Sequence, residues 1–185
     1  MIYAGIGSRQ TPPDVCDFFR RLAARLEKVH GAVLRSGGAA GADSAFFAGV
    51  TDVRNAEIYL PWPNFNGIQE IGGGDNKTYC SAHALAAIFH PAWERCNDTA
   101  RKFHARNCYQ ILGKNLKTPA DFVICWTPDG KVTGGTGQAL RIAQHYSIPI
   151  VNYGDPNTTS ELLATVVNQA AANHTNERVE TSARA

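Results

Sequence analysis

The sequence predicts an α/β fold, with a mostly parallel sheet and helices on both of its faces in three layers. Short apolar runs alternate along the chain with longer stretches in which apolar residues recur at helical spacing, and this alternation is typical of βαβ units. One run, residues 121–126, is almost wholly apolar, as expected for a central parallel strand. The predicted strands are residues 2–6, 32–34, 56–60, 121–126 and 148–151.

The helices are predicted in the intervals between these strands. The first follows Thr11 as its cap, with Pro12 in the first helical position and Asp14 in the first turn. Residues 64–76 are rich in glycine and asparagine and are predicted to form a long loop, which in a compact domain is usually functional or mobile. The remaining helices are expected at residues 42–50, 79–89, 98–112, 138–146 and 160–172.

Length and composition predict one folded domain. The chain has 185 residues, of which 44% are hydrophobic and 18% charged, as in an ordinary globular protein. We expect a single domain over residues 1–173 and a disordered tail over residues 174–185, because the tail is polar and has few apolar side chains. The net charge of +2 provides no overall field that would attract nucleic acid.

The termini and the cysteines predict a cytoplasmic protein. The first residues carry no basic segment of the kind that begins a signal peptide. No apolar run approaches the roughly 20 residues that a membrane-spanning helix needs, so no membrane partner is expected. The five cysteines are odd in number and include no CxxC pair, which suits a reducing compartment.

Three glycine-rich turns follow predicted strands, at residues 5–9, 36–43 and 134–137. Because the carboxyl ends of parallel strands lie at one edge of a sheet, these turns are expected to converge there. Glycine lets backbone N–H groups approach an anion closely, and a helix N-terminus attracts negative charge. One such turn alone would favour a tight connection that binds nothing, but three together favour a phosphate-bearing ligand.

Three motifs resemble those of a known family, namely residues 3–9 (YAGIGSR), 36–43 (SGGAAGAD) and 105–107 (ARN). Together they resemble the DNA-processing protein A (Smf) family, in particular its short single-domain type from phages and mobile elements. The resemblance covers residues 2–152 and implies a Rossmann-like fold. The wider superfamily includes the Lonely Guy phosphoribohydrolases. Its members bind nucleotides, nucleotide-derived signals or single-stranded DNA through these loops, and some cleave N-glycosidic bonds.

The resemblance and the positions of the strand ends together predict a ligand-binding site. Arg9 is expected to form a bidentate pair with a phosphate through its guanidinium group. Asp43 either contacts the ligand or complements the dipole of its own helix. Arg106 and Asn107 match a pair on a later helix of the family, with a solvated helical face as the alternative. The predicted site residues are Gly5, Gly7, Ser8, Arg9, Ser36, Gly37, Gly38, Gly41, Asp43, Trp62, Arg106, Asn107, Thr127, Gly134, Gly135, Thr136 and Gly137.

The third glycine turn resembles the glycine motif of the Lonely Guy enzymes but lacks their catalytic glutamate. In its place the chain has Gln138, Ala139, Leu140 and Arg141. Without a carboxylate there, the turn is expected to bind phosphate without general acid–base chemistry. We therefore assign no catalytic residue and leave enzymatic activity open. The carboxylates that remain as substitutes are Glu57, Glu70, Asp75 and Asp129.

Aromatic and basic residues leave two interpretations open. Trp62 and Phe65 follow the third predicted strand, where an aromatic ring could stack on a base, whereas Trp126 is assigned to the core. Basic residues recur from Arg95 to Lys117. They form either a nucleic-acid track or a solvated helical face, and the modest net charge favours the second.

Two Cys/His pairs lie at helical spacing, Cys80 with His83 and His104 with Cys108. They could together form a zinc site, but such pairs often arise by chance, and we predict no metal and no cofactor.

These patterns predict a protein that binds a nucleotide or nucleotide-derived phosphate ligand at the carboxyl edge of the sheet, as a homodimer. The first alternative is a single-stranded DNA-binding protein that assists recombination. The second is a nucleotide N-glycosidase similar to the phosphoribohydrolases. The salt dependence of binding separates the first two, because contacts with a nucleic-acid backbone weaken steeply as salt rises.

Overall fold

The computed structural model describes residues 1–72 and 76–183, and these form one five-stranded sheet with helices on both faces. Every pair of neighbouring strands is parallel, and their order across the sheet is β3-β2-β1-β4-β5. The α/β fold class and the three-layer arrangement are thus confirmed. The strands are β1 Ile2–Gly7, β2 Val33–Ser36, β3 Ala56–Ile58, β4 Phe122–Trp126 and β5 Ile150–Asn152. The α-helices are α1 Pro13–His30, α2 Ala42–Gly49, α3 Asn76–Phe89, α4 Asp98–Leu112, α5 Gly134–His145 and α6 Ser160–Ala183.

The strand order places a crevice beside β1. The chain moves outward from β1 through β2 to β3 and then returns to β4 on the other side of β1. In open parallel sheets, the loops that leave two such strands diverge to opposite faces, and ligands bind between them. The carboxyl ends of β1 and β4, at Gly7 and Trp126, lie side by side in the sheet.

Side chains alternate along β1 and β4 between two apolar layers. Tyr3 and Phe122 pack against α1, α2 and α6, with their rings stacked at a centroid distance of 5.8 Å. Ala4 and Val123 face the opposite layer, which contains α3, α4 and α5. Because both faces of the sheet are covered, its central strands are apolar along their whole length, as the sequence of β4 predicted.

The start of α1 differs from the prediction. Pro12 occupies the N-cap position and Pro13 begins the helix, with no side-chain cap hydrogen bond. The hydroxyl of Thr11 instead donates to the carbonyl of Ser8 at 2.6 Å. The expected cap at Thr11 is therefore wrong, because this side chain stabilises the turn after β1.

The third glycine turn also differs from a simple turn. Helix α5 begins at Gly134, so residues 134–137 form its first turn rather than a loop that precedes it. The first N–H groups of any α-helix have no partner within that helix. The glycines therefore present backbone donors directly at the helix N-terminus.

The loop after β3 contains a short 3₁₀ turn at Phe65–Gly67 and an antiparallel bridge between Ile58 and Ile71. Residues 73–75 and 184–185 lie outside the described residues. Helix α6 includes residues 174–183, which the sequence analysis assigns to a tail, and the domain boundary at residue 173 stays a prediction. None of the helices in the described part is long and apolar enough to span a membrane.

Candidate ligand-binding cleft

A cleft of about 580 Å³ lies at the carboxyl ends of β1 and β4. The loop after β1, the start of α2, one face of α4 and the first turn of α5 form its walls. Ten of the predicted site residues line it, and each of the three glycine turns contributes at least one of them. They are Gly7, Ser8, Arg9, Asp43, Arg106, Asn107, Thr127, Gly134, Gly135 and Thr136.

A buried ion pair joins two walls of the cleft. Nη1 of Arg106 lies 3.1 Å from Oδ2 of Asp43, and the two side chains are only 7% and 3% exposed. The other carboxylate oxygen of Asp43 accepts a hydrogen bond from the backbone N–H of Gly7 at 3.2 Å. Burial raises the pKa of Asp43, and the charge of Arg106 opposes this shift. Asp43 lies in the first turn of α2 and also lines the cleft, so its position is compatible with both interpretations, and contact with a ligand stays a prediction.

The second glycine motif makes room for Arg106. A Cβ atom on Gly37 would lie 1.0 Å from Nη1 of Arg106, so any other residue would displace the guanidinium. With its amide oriented to suit its neighbours, Gln110 accepts from the Gly37 N–H at 3.0 Å and from Arg106 Nη1 at 3.1 Å. Gly37 therefore contributes to the site by leaving room for the Arg106 side chain, and it does not itself line the cleft.

Asn107 and Gln138 connect α4 to the first turn of α5. The side-chain amide of Asn107 donates to the carbonyl of Gly135 at 3.0 Å and to Oε1 of Gln138 at 3.1 Å. Gln138 is fully buried, and it is the first of the four residues that stand where the resemblance would place a glutamate. This side chain therefore positions the glycine turn, and a carboxylate there would meet the same buried contacts instead of solvent.

The loop after β1 is held close to α2 and β4. A Cβ atom on Gly7 would approach Cβ of Ala42 to 2.6 Å, and one on Gly41 would approach the Ser8 carbonyl to 2.5 Å. Gly41 also has a φ of 82°, a conformation that side chains rarely adopt. Arg9 is exposed in this loop and forms no ion pair with any described residue.

An aromatic cluster stands at the mouth of the cleft. The rings of Trp62, Phe65 and Phe103 meet edge to face, with centroid distances of 5.1, 5.2 and 5.4 Å. Phe65 and Phe103 line the cleft, and Trp62 packs against both while its surface is 37% exposed. We call these three residues the aromatic trio. Trp62 is thus close to the predicted site without being part of its wall.

The remaining predicted site residues do not line the cleft, and they are Gly5, Ser36, Gly37, Gly38, Gly41, Trp62 and Gly137. Ser36 is buried and donates to the carbonyl of Gly5 at 2.7 Å, so it ties β2 to β1. A Cβ atom on Gly38 would lie 2.9 Å from Leu60, and this glycine has a φ of 65°. Its part in the motif is backbone conformation and packing.

Sequence reasoning missed much of the wall contributed by α4. Ala100, Phe103, His104 and Gln110 line the cleft together with Asn107. Positions 100, 103, 107 and 110 recur at helical spacing and so share one face of α4. This periodicity around the recognised motif was the signal that could have revealed them.

The carboxylates considered as catalytic substitutes lie elsewhere. Glu57 pairs with Arg35 at 2.6 Å, and Asp129 pairs with Lys131 at 3.1 Å on the surface. Glu70 accepts from the Leu60 N–H at 3.4 Å, and Asp75 lies outside the described residues. Asp43 is the only carboxylate among the described residues that line the cleft.

Neither a model of a known protein family nor a curated protein matches the sequence. Among solved structures, the fold is similar to that of DNA processing protein A from Helicobacter pylori, in a structure that concerns the single-stranded DNA binding mode of that protein. The TM-score is 0.54 at 19% sequence identity, and the match covers 95% of this chain and 81% of the other. The likeness confirms the Rossmann-like fold that the resemblance implied.

Proposed function

We propose that this chain binds single-stranded DNA in the cleft. A phosphate would lie near Arg9 and the first turn of α5, with a base against the aromatic trio. The observation that carries the proposal is the juxtaposition of these two surfaces at one cleft mouth. Proteins that bind single strands combine basic grooves with aromatic rings on which bases stack. The structural similarity to a DNA processing protein A supports this function over the nucleotide ligand that the sequence analysis placed first.

The first turn of α5 provides the phosphate half of the proposed site. Gly134 and Gly135 are exposed, and a Cβ atom on either glycine would meet nothing within 4 Å. A ligand can therefore approach these backbone N–H groups closely, at the positive end of the helix dipole. Arg9 supplies an exposed cation on the loop after β1, which also lines the cleft, whereas the charge of Arg106 is already balanced by Asp43.

The aromatic trio provides the base half of the proposed site. The edge-to-face packing of its rings holds them in fixed positions, while Trp62 keeps more than a third of its surface in solvent. Arg106 contacts one member of the trio, with its Cζ atom over the ring of Phe103 and 5.8 Å from the ring centroid. A preformed aromatic platform loses little conformational entropy when a base stacks on it.

Fluorescence anisotropy with a labelled oligothymidine of about 12 nucleotides tests this proposal, a length within the usual site sizes of such binding folds. Trp62→Ala should weaken binding by about 1–3 kcal/mol, the usual value of one stacked base. Tyr146→Ala is the matched control, because Tyr146 is equally exposed at 43% but lies outside the cleft. Equal losses in both variants would contradict a stacking platform at Trp62.

The salt dependence tests the phosphate contact. Each phosphate neutralised on a single strand contributes about −0.7 to the slope of log K against log salt. Arg9→Gln should therefore reduce the slope by about 0.7, whereas Arg21→Gln, on the exposed surface of α1, should leave it unchanged.

A mononucleotide ligand is the second candidate, and the size of the cleft favours it. About 580 Å³ lies within the usual range for small-molecule pockets, and the cleft occupies the position where open parallel sheets bind nucleotides. If mononucleotides bind as tightly as the oligomer, and salt has little effect, this candidate replaces DNA binding. Isothermal titration with thymidine and adenosine monophosphates makes the comparison.

Homodimer formation, which the sequence analysis predicts, is a further part of the proposal. Light scattering of the purified chain measures the assembly state, and a monomer mass at all concentrations would contradict the dimer.

A further inference from the structure

A cluster of one cysteine and two histidines lies outside the phosphate and aromatic surfaces. His90 follows α3, Cys96 follows the 3₁₀ turn at Trp93–Arg95, and His104 lies on α4. One ligand atom from each of the three side chains lies within 4.8 Å of the other two. Sγ of Cys96 is 3.6 Å from Nδ1 of His90, and the imidazole centroids of His90 and His104 are 4.3 Å apart.

The interior member of this cluster has an unsatisfied nitrogen. His104 is 7% exposed, and its Nδ1 has no hydrogen-bond partner among the described residues. Buried polar atoms in folded proteins are nearly always partnered, so an orphan of this kind needs an explanation. A metal ion bound by the cluster would supply the missing partner.

We propose that His90, Cys96 and His104 bind a divalent transition metal of the zinc class. Bonds of about 2.0–2.1 Å to nitrogen and 2.3 Å to sulfur place the ligand atoms of a tetrahedral zinc about 3.3–3.6 Å apart. The distance of 3.6 Å between Cys96 and His90 meets this requirement directly, and the whole cluster needs to contract by only about 1 Å. Three protein ligands leave a fourth position open. Because His104 also lines the cleft, the metal would lie in the cleft wall.

Two features oppose binding and set limits on affinity. The guanidinium of Arg141 lies near the cluster, where its Nε donates to the carbonyl of Phe89 at 2.7 Å. The thiolate of Cys96 would offset part of the repulsion between this cation and the metal. The N–H of Ala92 donates to Nδ1 of His90 at 3.2 Å, so a metal on that nitrogen replaces a hydrogen bond.

Cobalt(II) titration of the chelator-treated full chain tests the site. One equivalent should produce the visible bands of tetrahedral cobalt together with a sulfur-to-cobalt charge-transfer band in the near ultraviolet, and zinc should displace them. Failure of the wild-type chain to bind one equivalent overturns the proposal without recourse to any variant.

Variants then assign the ligands. Cys96→Ser should abolish the charge-transfer band and weaken binding by at least about 10–100-fold, the effect that loss of an outer-sphere partner alone produces. Cys80→Ser is the matched control, because Cys80 is an exposed thiol on α3 and lies outside the cluster. Circular dichroism confirms that both variants are folded. An unchanged band in Cys96→Ser, or its loss in Cys80→Ser, would show that the cluster is not the site.

Discussion

Substitution of Asp43 by alanine should destabilise the fold strongly, because it leaves a buried cation without its counter-ion. Asp43 is 2% exposed and Arg106 is 6% exposed, so solvent cannot replace the lost carboxylate. The N–H of Gly7, which donates to Asp43, also loses its acceptor. Removal of one partner of a buried ion pair typically costs about 3–5 kcal/mol. For a domain of this size, that loss lowers the melting temperature by about 6–20 °C.

Urea unfolding of wild type and Asp43→Ala, followed by circular dichroism, measures this loss. The matched control is Asp17→Ala, because Asp17 pairs with Arg20 at 3.8 Å on the exposed surface of α1. Exposed pairs of this kind contribute about 0–1 kcal/mol. If the two variants lose similar stability, the ion pair between Asp43 and Arg106 does not contribute the free energy of unfolding that its burial implies.

A double-mutant cycle separates the ion pair from other effects of the substitutions. Arg106→Met leaves Asp43 buried and unpaired, so it should cost about as much as Asp43→Ala. The double variant removes both charges, and its loss should be smaller than the sum of the two single losses by at least about 1 kcal/mol. Additive losses would refute direct coupling.

Three further predictions concern stability. Glu27 accepts hydrogen bonds from Thr51, Asp52 and Asn55 that lower its pKa to about 2 against the effect of burial, so Glu27→Ala should cost about 1–3 kcal/mol in urea unfolding. The pKa of His104 falls from 6.5 to about 4 on folding, so below pH 6.5 the unfolded chain binds a proton that the folded chain does not. The metal-free chain should therefore lose up to roughly 3 kcal/mol of stability as the pH drops from 6.5 to 4. Urea unfolding at pH 7 and pH 4 should show a smaller loss in His104→Gln than in wild type. Deletion of residues 176–185 should leave the melting temperature in calorimetry within about 2 °C of wild type, because few apolar groups are removed.

The order of the elements could be predicted from the sequence because it depends on local periodicity. The apolar strand at residues 121–126 and the helix at residues 98–112 are visible in the pattern of apolar residues alone. The exact ends of the helices and strands could not be predicted, because a side chain near an end can form more than one hydrogen bond. The hydroxyl of Thr11 had two acceptable uses, a helix cap or a hydrogen bond to the Ser8 carbonyl, and only the folded turn selects between them.

The candidate site could be predicted only in part, because a motif does not distinguish residues that touch a ligand from residues that position others. Gly37 belongs to the same motif as Asp43, but its role is to leave space for the side chain of Arg106 on α4. The cluster of His90, Cys96 and His104 was missed for a related reason. A short 3₁₀ turn brings the first two together, and α4 supplies the third from the next element.

The chemistry of the cleft follows from the same ion pair that stabilises the fold. General acid–base cleavage of a glycosidic bond needs a carboxyl group that is free to exchange a proton with the substrate. Asp43 is the only carboxylate among the cleft residues that the structure describes, and both of its oxygens are already engaged, one by Arg106 and one by Gly7. Gln138, the residue that follows the third glycine turn, accepts a hydrogen bond from Asn107. The arrangement therefore uses its polar groups to hold the walls of the cleft in place, and this role of Asp43 and Gln138 supports the proposal that the cleft binds a strand.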